Sequence, residues 1–223
     1  MLLYLVRHGE TGCNLSKIIQ GQSVVSHLNG TGIRQAELVR DRIKGYRIDR
    51  VYSSPLLRAT ETAEIICGAL GLPFTREPLL SERNFGVLEG KTREEIERLF
   101  PSDRTPWRQT YITAPPGGES LRDVANRARL FVEQLKKTHA PSDRVLAVTH
   151  GGALRGIALC LLDLEPEHWR LLSFDNCSIT VFELKDRNYL KRLNDTAHLE
   201  AEGLTPAEDA DNTPASLSAV KER

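Results

Sequence analysis

Two apolar runs, Leu2-Leu3-Tyr4-Leu5-Val6 and Val145-Leu146-Ala147-Val148-Thr149, each end in a histidine followed by glycine, at His8-Gly9 and at His150-Gly151. A short run that is apolar throughout, without alternation, is the pattern of a strand buried on both faces, as in a parallel sheet. Such a sheet needs helices on both sides, and in open sheets of this kind ligands collect just beyond the carboxyl ends of the strands. Arg7 precedes the first histidine. Its planar fork of donors matches phosphate oxygens, so an imidazole beside it is suited to attack phosphorus. A single histidine after a strand reads as a hydrogen-bonded loop residue; a matched pair points to function.

Segments rich in Val, Ile and Leu alternate with longer amphipathic ones, the pattern of a three-layer α/β/α fold with a mostly parallel central sheet. Strands are expected near 2–7, 48–52, 73–76, 144–149, 178–184 and 189–194. The turn cluster Lys185-Asp186-Arg187-Asn188 makes the last two a hairpin and gives the sheet one antiparallel edge strand. Helices are expected near 31–44, 55–71, 92–100, 119–138, 151–162 and 166–172. Ser120 and Asp123 fit a capping box, and Asn29 can cap the helix after it. With 223 residues and 40% hydrophobic content, residues 1–199 fit one domain. Residues 200–223, rich in Glu, Asp, Thr, Pro, Ala and Ser, are expected to be a disordered tail.

Lys plus Arg equals Asp plus Glu at 30 each, so no global field directs the chain to nucleic acid or to an anionic membrane. Phosphate affinity must then be local. No apolar run approaches the ~20 residues of a membrane span. The chain opens directly on a core strand, so no leader is expected and the cytoplasm is the expected compartment. Cys13, Cys67, Cys160 and Cys177 are too dispersed for a thiolate zinc site. Cys13, five residues after His8, falls near the expected pocket.

The block Leu5-Val6-Arg7-His8-Gly9-Glu10-Thr11, with Asn14 and Gln20-Gly21, resembles the signature of the histidine phosphatase superfamily. So do Ser53-Ser54-Pro55-Leu56-Leu57-Arg58-Ala59, Glu82-Arg83-Asn84-Phe85-Gly86, Pro115-Pro116-Gly117-Gly118-Glu119-Ser120 and Thr149-His150-Gly151-Gly152. The blocks follow the family's order over residues 1 to about 198. The resemblance implies that His8 is a nucleophile forming a phosphohistidine, and that Glu82 donates a proton to the leaving group. It implies that Arg7, Arg58 and His150 bind the phosphate, and that Asn14, Gln20, Gly21 and Gly151 complete the substrate site. His8 would attack as a neutral imidazole oriented by a backbone carbonyl, and His150 is expected to act as an imidazolium beside the phosphate. Glu10 and Glu89 read as loop braces. The implied partner is a small phosphate ester, with no cofactor and no metal. The rival metal reading groups His8, His150 and Glu82 as ligands, with Arg7 repelling the ion.

The family divides into phosphatases and mutases. Mutases carry a longer insertion after the proton donor, whereas Glu82 to Pro115 is short here and its Arg93, Arg98, Arg104 and Arg108 form no adjacent pair. This favours a phosphatase. Lys17-Ile18-Ile19-Gln20-Gly21-Gln22 is similar to the fructose-2,6-bisphosphatase-like branch. The ending around His198 is similar to members acting on α-ribazole phosphate or phosphoserine, which leaves two readings of His198, a substrate contact or a strand-end histidine packed on the edge. Val24-Val25-Ser26-His27-Leu28-Asn29 lacks the usual Asp-x-Pro of the family. Trp107 and Tyr111 are candidate lid aromatics. A homodimer through the edge strand or helix 151–162, and a non-catalytic phospho-ligand-binding scaffold, are the remaining alternatives.

Overall fold

The computed structural model describes residues 1–101, 104–105 and 113–204. Its strands are β1 (Leu2–Arg7), β2 (Arg50–Ser53), β3 (Phe74–Arg76), β4 (Arg144–Thr149), β5 (Ile179–Glu183) and β6 (Tyr189–Asp195). They form one sheet in the order β3-β2-β4-β1-β5-β6. The first four strands of that order are parallel, β5 runs antiparallel to β1, and β6 runs antiparallel to β5. The expected hairpin is present, with β6 outermost.

The helices are α1 (Gly12–Leu15), α2 (Gly30–Ile43), α3 (Leu57–Leu70), α4 (Arg93–Leu99), α5 (Leu121–Thr138), α6 (Gly151–Leu162) and α7 (Ala197–Glu200). Alternation along the strands divides the core in two. Leu3, Leu5, Val145, Ala147 and Phe182 pack with Phe131 and Leu135 of α5 and with Leu154 and Ile157 of α6. Tyr4, Val6, Leu146, Val148, Ile179 and Val181 pack with Ala36 and Val39 of α2 and with Ala63 and Ile66 of α3. Each fully buried side chain of this size contributes about 1.5–3 kcal/mol, so both faces of β1 and β4 are fixed by packing. This is the three-layer α/β/α arrangement.

Caps start the helices where expected. Asn29 accepts the Gly32 N–H at 2.8 Å to begin α2. Ser120 and Asp123 form a reciprocal capping box at α5. One expected helix differs: Pro166–Leu171 is a 3₁₀ helix. It lies between the left-handed Asp163 that ends α6 and the extended Leu172, a span suited to the shorter 3₁₀ turn. The expected tail meets the described residues only at 200–204. These close the end of α7, where the Leu204 N–H reaches the Leu199 carbonyl at 3.0 Å and Leu204 packs on the core. Residues 205–223 lie outside the described residues. Among the described residues, no helix is long and apolar enough to cross a membrane.

Candidate active site

The register of the sheet builds the site. Arg7 pairs with Thr149 across β1 and β4, and Ser53 pairs with Val148 across β2 and β4. One residue further, the His8 N–H still reaches the Thr149 carbonyl and the Ser54 N–H the Val148 carbonyl, each at 2.9 Å. His8, His150 and Ser54 therefore leave three adjacent parallel strands at one level, beyond the carboxyl ends. The turn after His8 packs backbone to backbone on α2. A Cβ on Gly9 would collide with the Gly32 carbonyl, and one on Gly32 with the Glu10 backbone, so the approach needs glycine on both sides.

His8 is 2% exposed. Its Nδ1 lies 2.7 Å from the Gly9 carbonyl oxygen, and its Nε2 lies 3.3 Å from Arg58 Nε, which donates to it. A carbonyl can only accept and a guanidinium can only donate. The hydrogen is therefore on Nδ1 and the lone pair on Nε2. Burial, then the charges of Arg58 and Arg7, hold this imidazole well below its ordinary pKa, so it is neutral near pH 7. The backbone carbonyl expected to orient it is that of Gly9.

Arg7 and Arg58 are both buried. Arg7 Nη1 donates to the Phe174 carbonyl at 2.7 Å, and Arg58 Nη2 to the Gly21 carbonyl at 2.8 Å. His150 is fully buried, and its ring centroid is 5.1 Å from that of His8. Its Nε2 lies 2.7 Å from Ser54 Oγ, and its Nδ1 has no hydrogen-bond partner among the described residues. Burial, then Arg58, His8 and Arg7, also push its pKa well down. The imidazolium expected at His150 therefore meets an opposing environment: in this cage of cations the ring is neutral unless an anion joins it.

Glu82 approaches from the other side, 3% exposed. Its Oε1 accepts the N–H groups of Arg83 at 2.7 Å and Ala153 at 3.0 Å, and its Oε2 that of Gly152 at 3.2 Å. The carboxylate thus sits on the N-terminus of α6, where the unpaired amides and the helix dipole favour an anion. A Cβ on Gly152 would lie 2.5 Å from Oε1. Arg127 holds the backbone that carries this residue. Its guanidinium donates to the carbonyls of Leu79, Ser81 and Glu82 and forks onto both oxygens of Glu119, while Glu119 takes the Asn84 N–H. Gln22 Nε2 adds a bond to the Glu82 carbonyl at 2.7 Å.

The remaining expected residues divide between the pocket and its supports. The Asn14 side-chain oxygen caps α1 through Thr11, and the Gln20 oxygen accepts from Thr11 and Ser26. Contact from either to a ligand must therefore come through the amide nitrogen. Gly21 offers its carbonyl to Arg58, and Gly151 lies against the Arg7 guanidinium. Glu10 accepts from Asn29, and Glu89 accepts three backbone N–H groups of Gln22, Ser23 and Phe85, as expected of braces. Burial raises the Cys13 thiol pKa while Arg58 opposes it, which puts Cys13 within reach of the pocket's field. His198 bridges the Cys177 carbonyl at 3.0 Å and Arg42 at 3.3 Å, and the Cys177 N–H in turn reaches the Arg7 carbonyl at 3.0 Å. The loop that lacks the Asp-x-Pro is tied by Glu61, which binds His27 at 2.5 Å and accepts the Leu28 N–H at 2.8 Å. Trp107 and Tyr111 lie outside the described residues.

Sequence reasoning gave no role to Arg127, Ser54 or Asn176, whose Nδ2 donates to the His8 carbonyl at 2.8 Å. Arg127 carried a signal: it lies three residues after Val124 and four before Phe131, a charge on the buried stripe of α5. The other two are ordinary polar residues whose roles arise from tertiary placement.

A buried pair of histidines on adjacent strand ends, caged by two arginines and faced by a carboxylate, defines a site for phosphoryl chemistry. The family profile of the histidine phosphatase superfamily (branch 1) matches residues 3–196. The chain belongs to that superfamily. It is 37% identical over 213 residues to "Probable phosphoglycerate mutase GpmB" of Yersinia enterocolitica, covering 91% of this chain and 96% of the relative. Among solved structures, it superposes on a mycobacterial glucosyl-3-phosphoglycerate phosphatase in complex with VO3. The TM-score is 0.81 at 31% identity, over 87% of this chain and 99% of the other. A mutant of phosphoserine phosphatase from Entamoeba histolytica, in complex with phosphoserine, gives a TM-score of 0.74 at 31% identity over 89% and 98% of the two chains. An enzyme of the phosphatase superfamily is what the fold and its neighbours define.

Proposed function

We propose that the chain is a metal-independent phosphomonoesterase of small phosphorylated metabolites that works through a phosphohistidine on His8. The single observation that carries this reading is the state of His8, a neutral imidazole with Nδ1 tied to the Gly9 carbonyl and Nε2 presenting its lone pair beside Arg58. In the first step Nε2 bonds to phosphorus as the P–O bond to the leaving group breaks. Arg7, Arg58 and His150 stabilise the charge on the equatorial oxygens, with Asn14, Gln20, Gly21 and Gly151 around them. Glu82 gives its proton to the leaving oxygen, and in the second step it takes one from the water that cleaves the P–N bond.

Metal ligation by His8, His150 and Glu82 is disfavoured by the same contacts. Both nitrogens of His8 are engaged, and the donor on Nε2 is a cation. Among the described residues, no cluster of three His, Cys, Asp or Glu side chains is placed to hold a metal.

The test is phosphate release in EDTA from a panel holding glucosyl-3-phosphoglycerate, phosphoserine, α-ribazole phosphate, 3-phosphoglycerate and fructose bisphosphates. Turnover that survives the chelator and disappears in His8→Ala supports the proposal; release that requires an added metal contradicts it. The name of the Yersinia relative supports a second reading, transfer of the phosphoryl group between positions of phosphoglycerate. Interconversion of 2- and 3-phosphoglycerate without net phosphate release would establish that reading instead.

A further inference from the structure

We propose that Ser54 is a positioning residue that fixes His150 as an Nδ1–H donor to the phosphate: the same tautomer as the His8 nucleophile, with its proton, not its lone pair, left for the ligand. The inference deepens the phosphomonoesterase reading and rests on it for the identity of the bound anion. Its argument is one of hydrogen-bond supply. Ser54 Oγ accepts the Leu56 N–H at 3.2 Å and lies 2.7 Å from His150 Nε2. A hydroxyl has one hydrogen to give. If that hydrogen goes to Nε2, Ser54 both donates and accepts, and the ring proton must reside on Nδ1. If Nε2 carries the proton instead, Ser54 accepts twice. Its hydroxyl hydrogen is then buried without an acceptor among the described residues, and Nδ1 turns a bare lone pair to any anion. The second arrangement buries two mismatches in place of one, and an unsatisfied buried polar group costs about 1–3 kcal/mol.

The remaining unmatched atom in the favoured arrangement is itself informative. Nδ1 belongs to a side chain with no exposure, and it has no partner among the described residues. A buried N–H left open inside a cage formed with Arg7, Arg58 and His8 is a donor aligned for an oxyanion. The groups that act electrostatically on His150 are Arg58, His8, Arg7 and Arg127, with Glu82 on the first amides of the same helix. Before an anion enters, burial and then the arginines hold the ring neutral, so its tautomer decides whether an arriving phosphate meets a donor or a lone pair. Ser54 makes that choice without touching the ligand.

Nitrogen-15 spectra of the histidine-labelled full chain, with and without vanadate, test this directly. The expected His150 pattern at neutral pH is a protonated, pyrrole-type Nδ1 and an unprotonated, pyridine-type Nε2, with the Nδ1 proton shifting when vanadate binds. In Ser54→Ala that pattern should mix or reverse, and vanadate affinity and kcat/KM should fall about 10- to 100-fold, the scale of one hydrogen bond to a charged group. Ser54→Thr, which keeps the hydroxyl, should restore both the spectrum and most of the activity. A protonated Nε2 in the unmodified protein, or a Ser54→Ala spectrum identical to it, would overturn the inference. The spectra need no turnover. An enzyme that hydrolyses no ester yet shows the expected pattern would contradict the hydrolase reading while supporting the tautomer assignment.

Discussion

At the scale of single residues, the two histidines show how one environment yields two functions. Both are buried among arginines and both are driven to the neutral form, yet their outer contacts differ: a carbonyl for His8 and a hydroxyl for His150. Because the nucleophile needs its lone pair, activity is lost only when pH falls through the depressed pKa of His8. The acid limb of kcat/KM due to His8 should therefore lie well below the ~6.5 of a free imidazole; a limb centred at 6.5 that moves on perturbing Arg58 would refute this. His8→Ala should reduce turnover by at least ~10³-fold, and Glu82→Gln by roughly 10²- to 10⁴-fold with the larger effect on kcat. Steady-state kinetics on one good ester would measure both. That His8, Arg7, Arg58 and His150 come together, with Glu82 facing them, was legible because each lies in a short motif of the family resemblance; the roles given to them are those of the proposal. For His198 the sequence left substrate contact and packing at the sheet edge open, because motif similarity does not tell what a short terminal helix packs against; its contacts are to Cys177 and Arg42.

At the scale of elements, the site depends on three connections that no short motif records. The N-terminus of α6 receives Glu82, Arg127 of α5 grips the segment that carries Glu82, and Thr149 Oγ1 ties the end of β4 to the Leu80 carbonyl at 2.6 Å. Arg127→Met removes the guanidinium from the carbonyls of Leu79 and Ser81, and leaves the Glu82 carbonyl with Gln22 and the Glu119 carboxylate with the Asn84 N–H. It should cost about 1–3 kcal/mol of stability, the scale for leaving buried carbonyls without a hydrogen-bond donor. A displacement of Glu82 by about 1 Å would reduce kcat by ~10²-fold. Urea denaturation and kinetics of this variant check both, and unchanged kcat would show that Glu82 does not rely on the clamp. Asn29→Ala, which removes the α2 cap and the bond to Glu10, should lower stability by about 1 kcal/mol and Tm by roughly 2–4 °C, as thermal unfolding would measure. The strands and long helices were legible because periodicity and caps are local signals. The 3₁₀ geometry at Pro166–Leu171 and the short helices α1 and α7 were not, since they are set by the elements they join.

At the scale of the whole molecule, buried neutral histidines tie stability to pH. The folded pKa of His8 and of His150 lies below that of the unfolded chain, ~6.5. Below pH 6.5 the unfolded state takes up protons that the folded state refuses. Stability from this source is therefore complete above pH 6.5 and falls as pH drops toward the folded values, by at most ~1.4 kcal/mol per pH unit for each histidine. Thermal unfolding between pH 7.5 and 5.5 should show the decline, and His150→Gln should flatten it; an identical slope in that variant would assign the decline to other groups. A phosphate analogue in the cage supplies the missing negative charge and should raise Tm. The balanced charge of the chain is consistent with an attraction for phosphate confined to this one pocket, built where two buried parallel strands end side by side.

The central claim is that His8 carries the phosphoryl group. The most direct measurement is acid-free rapid quench of the enzyme with a radiolabelled phosphate ester, followed by mapping of the labelled residue. The account predicts a phosphoenzyme that forms faster than product is released, is labile to acid and stable to alkali, and maps to His8. Phosphate release at full rate with no labelled enzyme, or label on any other residue, would contradict it.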